Sequence, residues 1–375
     1  MKSIYKSIGE LVERIDQRNT DGTVTNLIGV SIDKKFINSV ANVIGTDLTK
    51  YKVIEKYDFA VSLMQVSRDE KIPVACQKEY DKAIMSPAYP IFRVKDTSIV
   101  LPEYLEMWFM RPEFDREASF IAVGGVRGSM PWEDFANMKL PVPSIEEQRE
   151  IVNSYKTLTD RIALKKQIND NLVNTTDTIF FKMFLERKPD ATISFTDIVQ
   201  LMGGGTPKTE EDSFWNGDIL FFTPKDVSHS PFCISTEKHL TVAGLNNCSS
   251  RLYPPFTTFV TCRGTVGNLS MAGVSMAMNQ SCYALKGKAD FPPLFVYSFT
   301  RYVIATMKKK ASGAVFSALV TRDFEMEKVF EPNADDAILF QKRVEPLFAQ
   351  VLANTNEIQQ LSELQNALLT QLSSR

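Results

Sequence analysis

Two stretches of the chain alternate apolar and polar positions with a helical period sustained over more than thirty residues. After Pro332, the residues Phe340, Val344, Leu347, Val351, Asn354, Ile358, Leu361, Gln365, Leu368 and Leu372 recur at alternating steps of four and three. After Pro143, the same alternation picks out Ile151, Tyr155, Leu158, Ile162, Lys165, Asn169, Leu172, Thr176, Ile179 and Met183. Steps of four and three are coiled-coil periodicity. Each stretch begins acidic, with Glu146-Glu147 or Asp335-Asp336, which suits the positive end of a helix dipole. At about 1.5 Å per residue, a stretch of more than thirty residues makes a helix of roughly 50 Å, longer than a small domain. The expectation is therefore a pair of long helices packed on each other, and the alternative is two amphipathic helices each lying on its own domain. Laid antiparallel, the two series pair Ile151 with Leu372, Tyr155 with Leu368, Ile162 with Leu361, Leu172 with Val351, Ile179 with Val344 and Met183 with Phe340. They also set Asn169 opposite Asn354, a polar pair of the kind that fixes register.

The remaining segments mix short apolar runs, such as "GDILFFTPKDV" and "FTTFVTC", with turns and with helical stretches such as "LPEYLEMWFM". They read as α+β modules of about 145 residues, and the two modules repeat one another. "SIGELVERI" begins at Ser7 and "SFTDIVQLM" at Ser194, both read as strand-like openings, 187 residues apart. Gly125 and Gly313 follow, in "VGGVRGSMPWEDF" and "ASGAVFSALVTRDF", where Asp134-Phe135 answers Asp323-Phe324 at an offset of 189. Pro143 answers Pro332 at the same offset. This divides the chain into a module over 1–144, a long helix over 145–188, a second module over 189–333 and a second long helix over 334–375.

Composition narrows the class. With 375 residues the chain exceeds one ordinary core. No apolar run approaches the roughly 18 residues needed to span a bilayer, so a soluble cytoplasmic protein is expected. The five cysteines contain no Cys-x-x-Cys and are expected as free thiols, mostly in the core. A net charge of −2 argues against a grip on nucleic acid by bulk positive charge; such binding needs local patches or a partner that shares the work.

Candidate chemistry is sparse. "GGGTPKTEEDSFW" from Gly203 fits neither a P-loop nor a dinucleotide-binding glycine pattern, because Lys208 stands where a third glycine would fall. A turn allowing close approach of the backbone is the better reading. The second module's turns "GGGTPK", "CRGTVGN" and "MNQSCYAL" place Lys208, Arg263, Asn279 and Gln280 on permissive backbone. Arginine reads guanine, and asparagine or glutamine reads adenine, so the group suits recognition of base edges, although each residue alone could equally be a solvated turn residue. Lys208 and Lys225 are candidates for the phosphate backbone; Lys34, Lys35 and Arg127 are the DNA-binding candidates of the first module. Only two histidines exist, His229 and His239, without ligand-like neighbours, so no catalytic residue and no metal site is assigned. "YPPF" at Tyr253 is similar to the motif of amino-methyltransferases, but its first position should hold the target amine with a polar group and is here a tyrosine.

The two-copy layout, with "GGGTPKTEEDSFWNGDILFFTPKDV", "RGTVGNLSMA", "MNQSCYAL" and "GGVRGSMPWEDFANMKLPVPSIEEQREIV", resembles the DNA-specificity (S) subunit of Type I restriction-modification systems over essentially the whole chain. That resemblance implies two α/β target-recognition domains in a pseudo-two-fold, inverted arrangement, separated by two long helices forming an antiparallel coiled coil. It implies a non-catalytic chain that reads a bipartite site on double-stranded DNA. Two methyltransferase (modification) subunits would be partners, with restriction (translocase/nuclease) subunits as optional further ones, and no membrane would be involved. It implies no cofactor in this chain, with S-adenosylmethionine held by the methyltransferase partner. The second copy departs from the family pattern at "FEPNADDAILFQKRV", which lacks Leu-Pro-x-Pro and Glu-Gln-Arg. Readings from other classes are an adenine methyltransferase built around "YPPF" and a coiled-coil scaffold without DNA specificity.

Overall fold

The computed structural model describes residues 4–39, 45–64, 66–123, 128–310 and 318–372. The chain forms two compact units, one of residues 1–160 with 361–375 and one of residues 161–360. Gly125 and Gly313 lie outside the described residues.

In the first unit the strands are β1 (Ile4–Ser7), β2 (Val12–Ile15), β3 (Ile28–Val30), β4 (Phe36–Asn38), β5 (Lys52–Glu55), β6 (Phe59–Val61), β7 (Val74–Cys76), β8 (Lys82–Met85), β9 (Ile91–Val94) and β10 (Lys139–Val142). Its helices are α1 (Ile8–Leu11), α2 (Val66–Asp69), α3 (Pro102–Phe109), α4 (Pro112–Ile121) and α5 (Trp132–Asn137). A four-stranded sheet in the order β2-β9-β6-β7 is accompanied by the antiparallel pairs β1–β10, β3–β4 and β5–β8. Phe59, Phe92, Phe109, Phe114 and Phe135 interlock in its core, with Phe59 and Phe92 stacked at 5.2 Å.

The long helix α6 (Ile145–Phe180) passes into a π turn, Phe181–Leu185. The second unit then adds β11 (Ile193–Ser194), α7 (Phe195–Ile198), β12 (Val199–Gly203), β13 (Trp215–Phe222), β14 (Phe232–Cys233) and β15 (Lys238–Leu240). These are followed by α8 (Val242–Asn246), β16 (Thr258–Thr261), β17 (Leu269–Ala272), β18 (Met276–Met278), β19 (Cys282–Gly287), α9 (Pro293–Lys310), α10 (Thr321–Met326), β20 (Lys328–Val329) and the second long helix α11 (Ala334–Gln371). A five-stranded sheet, β12-β19-β16-β17-β14, stands with a three-stranded one, β15-β13-β18.

The openings of the two modules are not simple strands. Ser7 N donates to Glu10 Oε2 at 2.7 Å, and Ser194 N donates to Asp197 Oδ2 at 2.9 Å. A carboxylate three residues after a serine is a capping box, and it turns the chain through one helical turn before the strand begins. The repeat is visible in the pairing that closes each module. Ser7 faces Lys139 between β1 and β10, and Ser194 faces Lys328 between β11 and β20. Beside these pairs, Ile8 N donates to the Met138 carbonyl at 2.9 Å and Phe195 N to the Glu327 carbonyl at 3.0 Å.

Each module is tied to its long helix by a glutamine. Gln148, fully buried in the first turn of α6, accepts from Leu101 N at 2.9 Å and donates to the carbonyls of Ile99 and Pro143, both at 2.9 Å. In the second unit Gln341 accepts from Leu294 N at 3.0 Å. The second copy thus keeps the glutamine of the Glu-Gln-Arg pattern, displaced toward the C-terminus: Gln148 comes five residues after Pro143 and Gln341 nine after Pro332. The four extra residues are about one helical turn, so the side chain returns to the same face.

Within each unit the two helices run antiparallel. In the first, Gln365 Nε2 donates to Thr159 Oγ1 at 2.7 Å, and Ile151, Tyr155, Leu368 and Leu372 share one apolar cluster. In the second, Arg161 Nε donates to Glu357 Oε1 at 2.7 Å, Lys165 lies 2.8 Å from Glu357 Oε2, and further along Phe180 meets Phe340 at 5.5 Å. Leu172, Ile179, Met183, Phe340, Val344 and Val351 share the core of that unit. Asn354 Nδ2 donates to Asn169 Oδ1 at 2.8 Å, with the two residues only 1% and 5% exposed. Lys165 Nζ and Gln350 Nε2 donate to Asn354 Oδ1, both at 2.9 Å. One feature of α11 escapes the heptad pattern: Pro346 lies inside the helix, on an exposed position, and cannot donate to the carbonyl four residues back. Among the described residues, no helix is long and apolar enough to cross a membrane.

Gln148→Ala strands three backbone groups and should cost about 2–4 kcal/mol, whereas Gln341→Ala, which removes one such bond, should cost about 1 kcal/mol; chemical denaturation of the full chain measures both. Asn354→Leu leaves Asn169 buried without that bond and should destabilise by about 1–3 kcal/mol. The double replacement of Asn169 and Asn354 by leucine should be more stable than the single one, and a denaturation series showing additive losses would contradict it.

Candidate nucleic-acid interface

Strand pairing in the second unit brings four loops to one end of its sheets. β13 and β18 are parallel, with Phe222 beside Met278, so Thr223–Asp226 and Asn279–Ser281 leave together. β16 and β19 are antiparallel, with Thr261 opposite Cys282, which puts the turn 262–268 at the same place. Gly203, the last residue of β12, faces Tyr283, so the glycine-rich loop starts there too. Lys208, Lys225, Arg263, Asn279 and Gln280 therefore sit on loops from a common sheet end.

The glycines of this region hold the loops against each other. A Cβ on Gly204 would lie 2.3 Å from the Asn279 carbonyl oxygen, and one on Gly205 would lie 2.2 Å from Ser249 Oγ, whereas one on Gly203 would meet nothing within 4 Å. Gly205 N donates to the Met278 carbonyl at 3.2 Å, and Thr206 Oγ1 donates to Gln280 Oε1. Two of the three glycines thus let one loop backbone lie directly on a neighbouring loop, so the close approach read from the sequence is, at Gly204 and Gly205, an approach to protein. Beyond them, the Trp215 indole donates to the Lys208 carbonyl at 3.1 Å and fixes the course of the loop.

The candidate side chains differ in freedom. Lys208, Arg263 and Gln280 are exposed. Lys225 is exposed too, with Glu237 at 4.0 Å, a distance at which a surface ion pair contributes little. Asn279 is half-buried; its N–H donates to the Phe222 carbonyl at 3.0 Å and its Oδ1 accepts from Ser281 N at 3.0 Å. Arg263 occupies a turn with Gly264 and Gly267 at φ of +77° and +75°, conformations that favour glycine.

In the first unit Lys35 is exposed, in the turn joining β3 and β4. Lys34 is a correction. It is 6% exposed, its Nζ lies 2.8 Å from Asp115 Oδ1, and it donates to the Phe109 carbonyl. Burial pushes its ammonium below the ordinary lysine value, against the opposing pull of Asp115. Lys34 thus fastens the β3–β4 turn to the α3–α4 junction and is not available to a phosphate; two adjacent lysines in sequence cannot reveal which points inward. Arg127 lies outside the described residues.

The residues considered for catalysis have structural duties. Tyr253, 2% exposed, donates from its hydroxyl to the Gly203 carbonyl at 2.9 Å, and burial raises its phenol. In "YPPF" the tyrosine therefore holds the start of the glycine-rich loop, a role no motif announces. His229 Nε2 lies 2.8 Å from Asp170 Oδ1, and Ser230 Oγ lies 2.9 Å from Thr355 Oγ1, so the loop after β13 is fastened to both long helices beside the asparagine pair. Burial pushes the thiols of Cys233 and Cys262 up to about 12 and raises those of Cys76 and Cys282, which keeps them protonated. No group of three or more metal-ligating side chains forms among the described residues.

Comparison with known proteins places this architecture. The family model described as the Type I restriction modification DNA specificity domain matches twice, over residues 17–174 and 191–366. The chain is 21% identical to the Type I restriction enzyme HindI specificity subunit of Haemophilus influenzae, over 98% of this chain and 97% of that one. It is 24% identical to the MjaIX specificity subunit of Methanocaldococcus jannaschii over 180 residues, 47% of this chain and 40% of the relative. Its fold is similar to that of the Type I restriction-modification S subunit from M. genitalium, with a TM-score of 0.56, 13% identity, and coverage of 98% and 95% of the two chains. With the specificity domain present in two copies that together span most of its length, the chain belongs to the Type I restriction-modification DNA specificity family.

Proposed function

We propose that the chain is the sequence-reading subunit of a Type I restriction-modification complex, that its segments 1–144 and 189–333 are target-recognition domains, and that each reads one half of a bipartite site on double-stranded DNA. The duplicated specificity domain carries this reading. In the second unit, recognition falls to the common sheet end, where Arg263, Asn279 and Gln280 are base-reading groups and Lys208 and Lys225 hold phosphates. In the first unit Lys35 and Arg127 are the corresponding contacts. Asn169 and Asn354 set the register of the helices.

The chain has no catalytic role of its own in this proposal. Methyl transfer belongs to two modification subunits that bind S-adenosylmethionine, and cleavage to restriction subunits where these are present. All of them act in the cytoplasm with the chromosome. The net charge of −2 supports a division of labour in which the partners provide part of the grip on DNA.

Alanine at Arg263, Asn279 or Gln280 should relax the preference at one base position at a cost of about 1–3 kcal/mol, while alanine at Lys208 or Lys225 should weaken binding to all sequences and reduce the salt slope by about one. Binding of cognate and scrambled duplexes at several salt concentrations separates the two classes. Unchanged binding after all five replacements would remove the assignment. Methyl transfer by the isolated chain, abolished by Tyr253→Phe, would overturn the non-catalytic reading.

A further inference from the structure

The turn that carries Arg263 is clamped from outside its own hairpin. Within the hairpin, Gly267 N donates to the Thr261 carbonyl at 2.8 Å and Asn268 N to Thr261 Oγ1 at 3.0 Å. From outside, Lys308 Nζ, in the last turn of α9, donates to the Gly267 carbonyl at 3.0 Å. A Cβ on Gly267 would lie 2.9 Å from Lys308 Cε and 3.2 Å from Ile304 Cγ2, so a glycine is what allows helix and turn to approach this closely. The opposite shoulder of the turn is held as well: Cys262 N donates to the Ser281 carbonyl at 2.7 Å, and the Cys262 carbonyl accepts from Leu319 N at 3.0 Å. Only the tip is open. Arg263 and Gly264 are exposed, and a Cβ on Gly264 would meet nothing within 4 Å.

α9 is a firm support for such a clamp. Its face from Leu294 through Val303, Ile304 and Met307 is buried in the core of the unit, and its start is tied to α11 through Gln341. A lysine ammonium is a point charge on a mobile stem, and here the hydrogen bond to the Gly267 carbonyl and the approach of Cε to Gly267 direct it at the turn. Reading a guanine edge through two parallel hydrogen bonds demands an oriented guanidinium, hence an oriented turn.

We propose that Lys308 is a positioning residue for recognition: by holding the Gly267 carbonyl it sets the direction in which the turn presents Arg263 to a base edge, and it does not itself hold a phosphate. This rests on the reading of Arg263 as a base-contacting residue.

The test is selection of bound sequences from a random duplex pool by the full chain assembled with the modification subunits of its system, together with affinities at several salt concentrations. Lys308→Met keeps the apolar stem and loses the donor. It should lower the preference about tenfold at the same single position that Arg263→Ala relaxes, with the salt slope unchanged. The double variant should be no less selective than Arg263→Ala alone, and Lys308→Arg, which can still donate, should keep the preference. A loss of affinity for all sequences with a shallower salt slope would make Lys308 a phosphate contact and overturn the inference, as would an unaltered preference in Lys308→Met. If Arg263→Ala relaxes a position and Lys308→Met does not, the inference alone fails; if Arg263→Ala relaxes none, the reading of Arg263 fails and takes the inference with it.

Discussion

A long helix can carry a folded module in a defined orientation only if the joint between them is stiff, and here the joint is a glutamine carboxamide placed among backbone groups. Gln148 completes the hydrogen bonding of Leu101, Ile99 and Pro143 at the point where α3 begins and α6 departs. Buried backbone groups tolerate no vacancy, so the start of α3 and the start of α6 cannot shift independently. Gln341 makes the equivalent contact at the start of α9. Because α9 also supports the turn of Arg263 through Lys308, a chain of contacts runs from the second turn of α11 to that turn.

Much of the scaffold was legible in the heptad series, because helix packing depends on residue type at regular spacing. Asn169 and Asn354 were singled out as the two asparagines that fall opposite each other when the series are laid antiparallel, and they share a hydrogen bond. Where the pattern depends on side chains reaching back to the backbone, the sequence misled. "SIGELVERI" alternates like a strand, yet Glu10 caps Ser7 and turns the chain first. The second glutamine joint does not show as a Glu-Gln-Arg motif, because four added residues, about one helical turn, keep the face while shifting the number.

For the loops proposed to recognise DNA, the sequence offered residue types but no placement. Turn residues with long donor side chains marked the loops; strand pairing, which no local spacing encodes, brought them to one sheet end. The glycine run is instructive. Glycine signals close approach without saying to what, and here Gly204 and Gly205 meet neighbouring protein backbone. Lys34 shows the same ambiguity for charge, since the partner that draws it inside, Asp115, is distant in sequence.

The first unit is assembled from both ends of the chain, residues 1–160 and 361–375, while the second is one continuous stretch. During synthesis on the ribosome the usual order of domain completion is from the N-terminus onward. In this chain the order is inverted. Ile151 and Tyr155 wait without Leu368, Leu369 and Leu372 until residues 361–375 are made, whereas every residue of the second unit is by then already available. The nascent first unit thus carries an apolar stripe that is covered only by a segment made after the whole of the second unit.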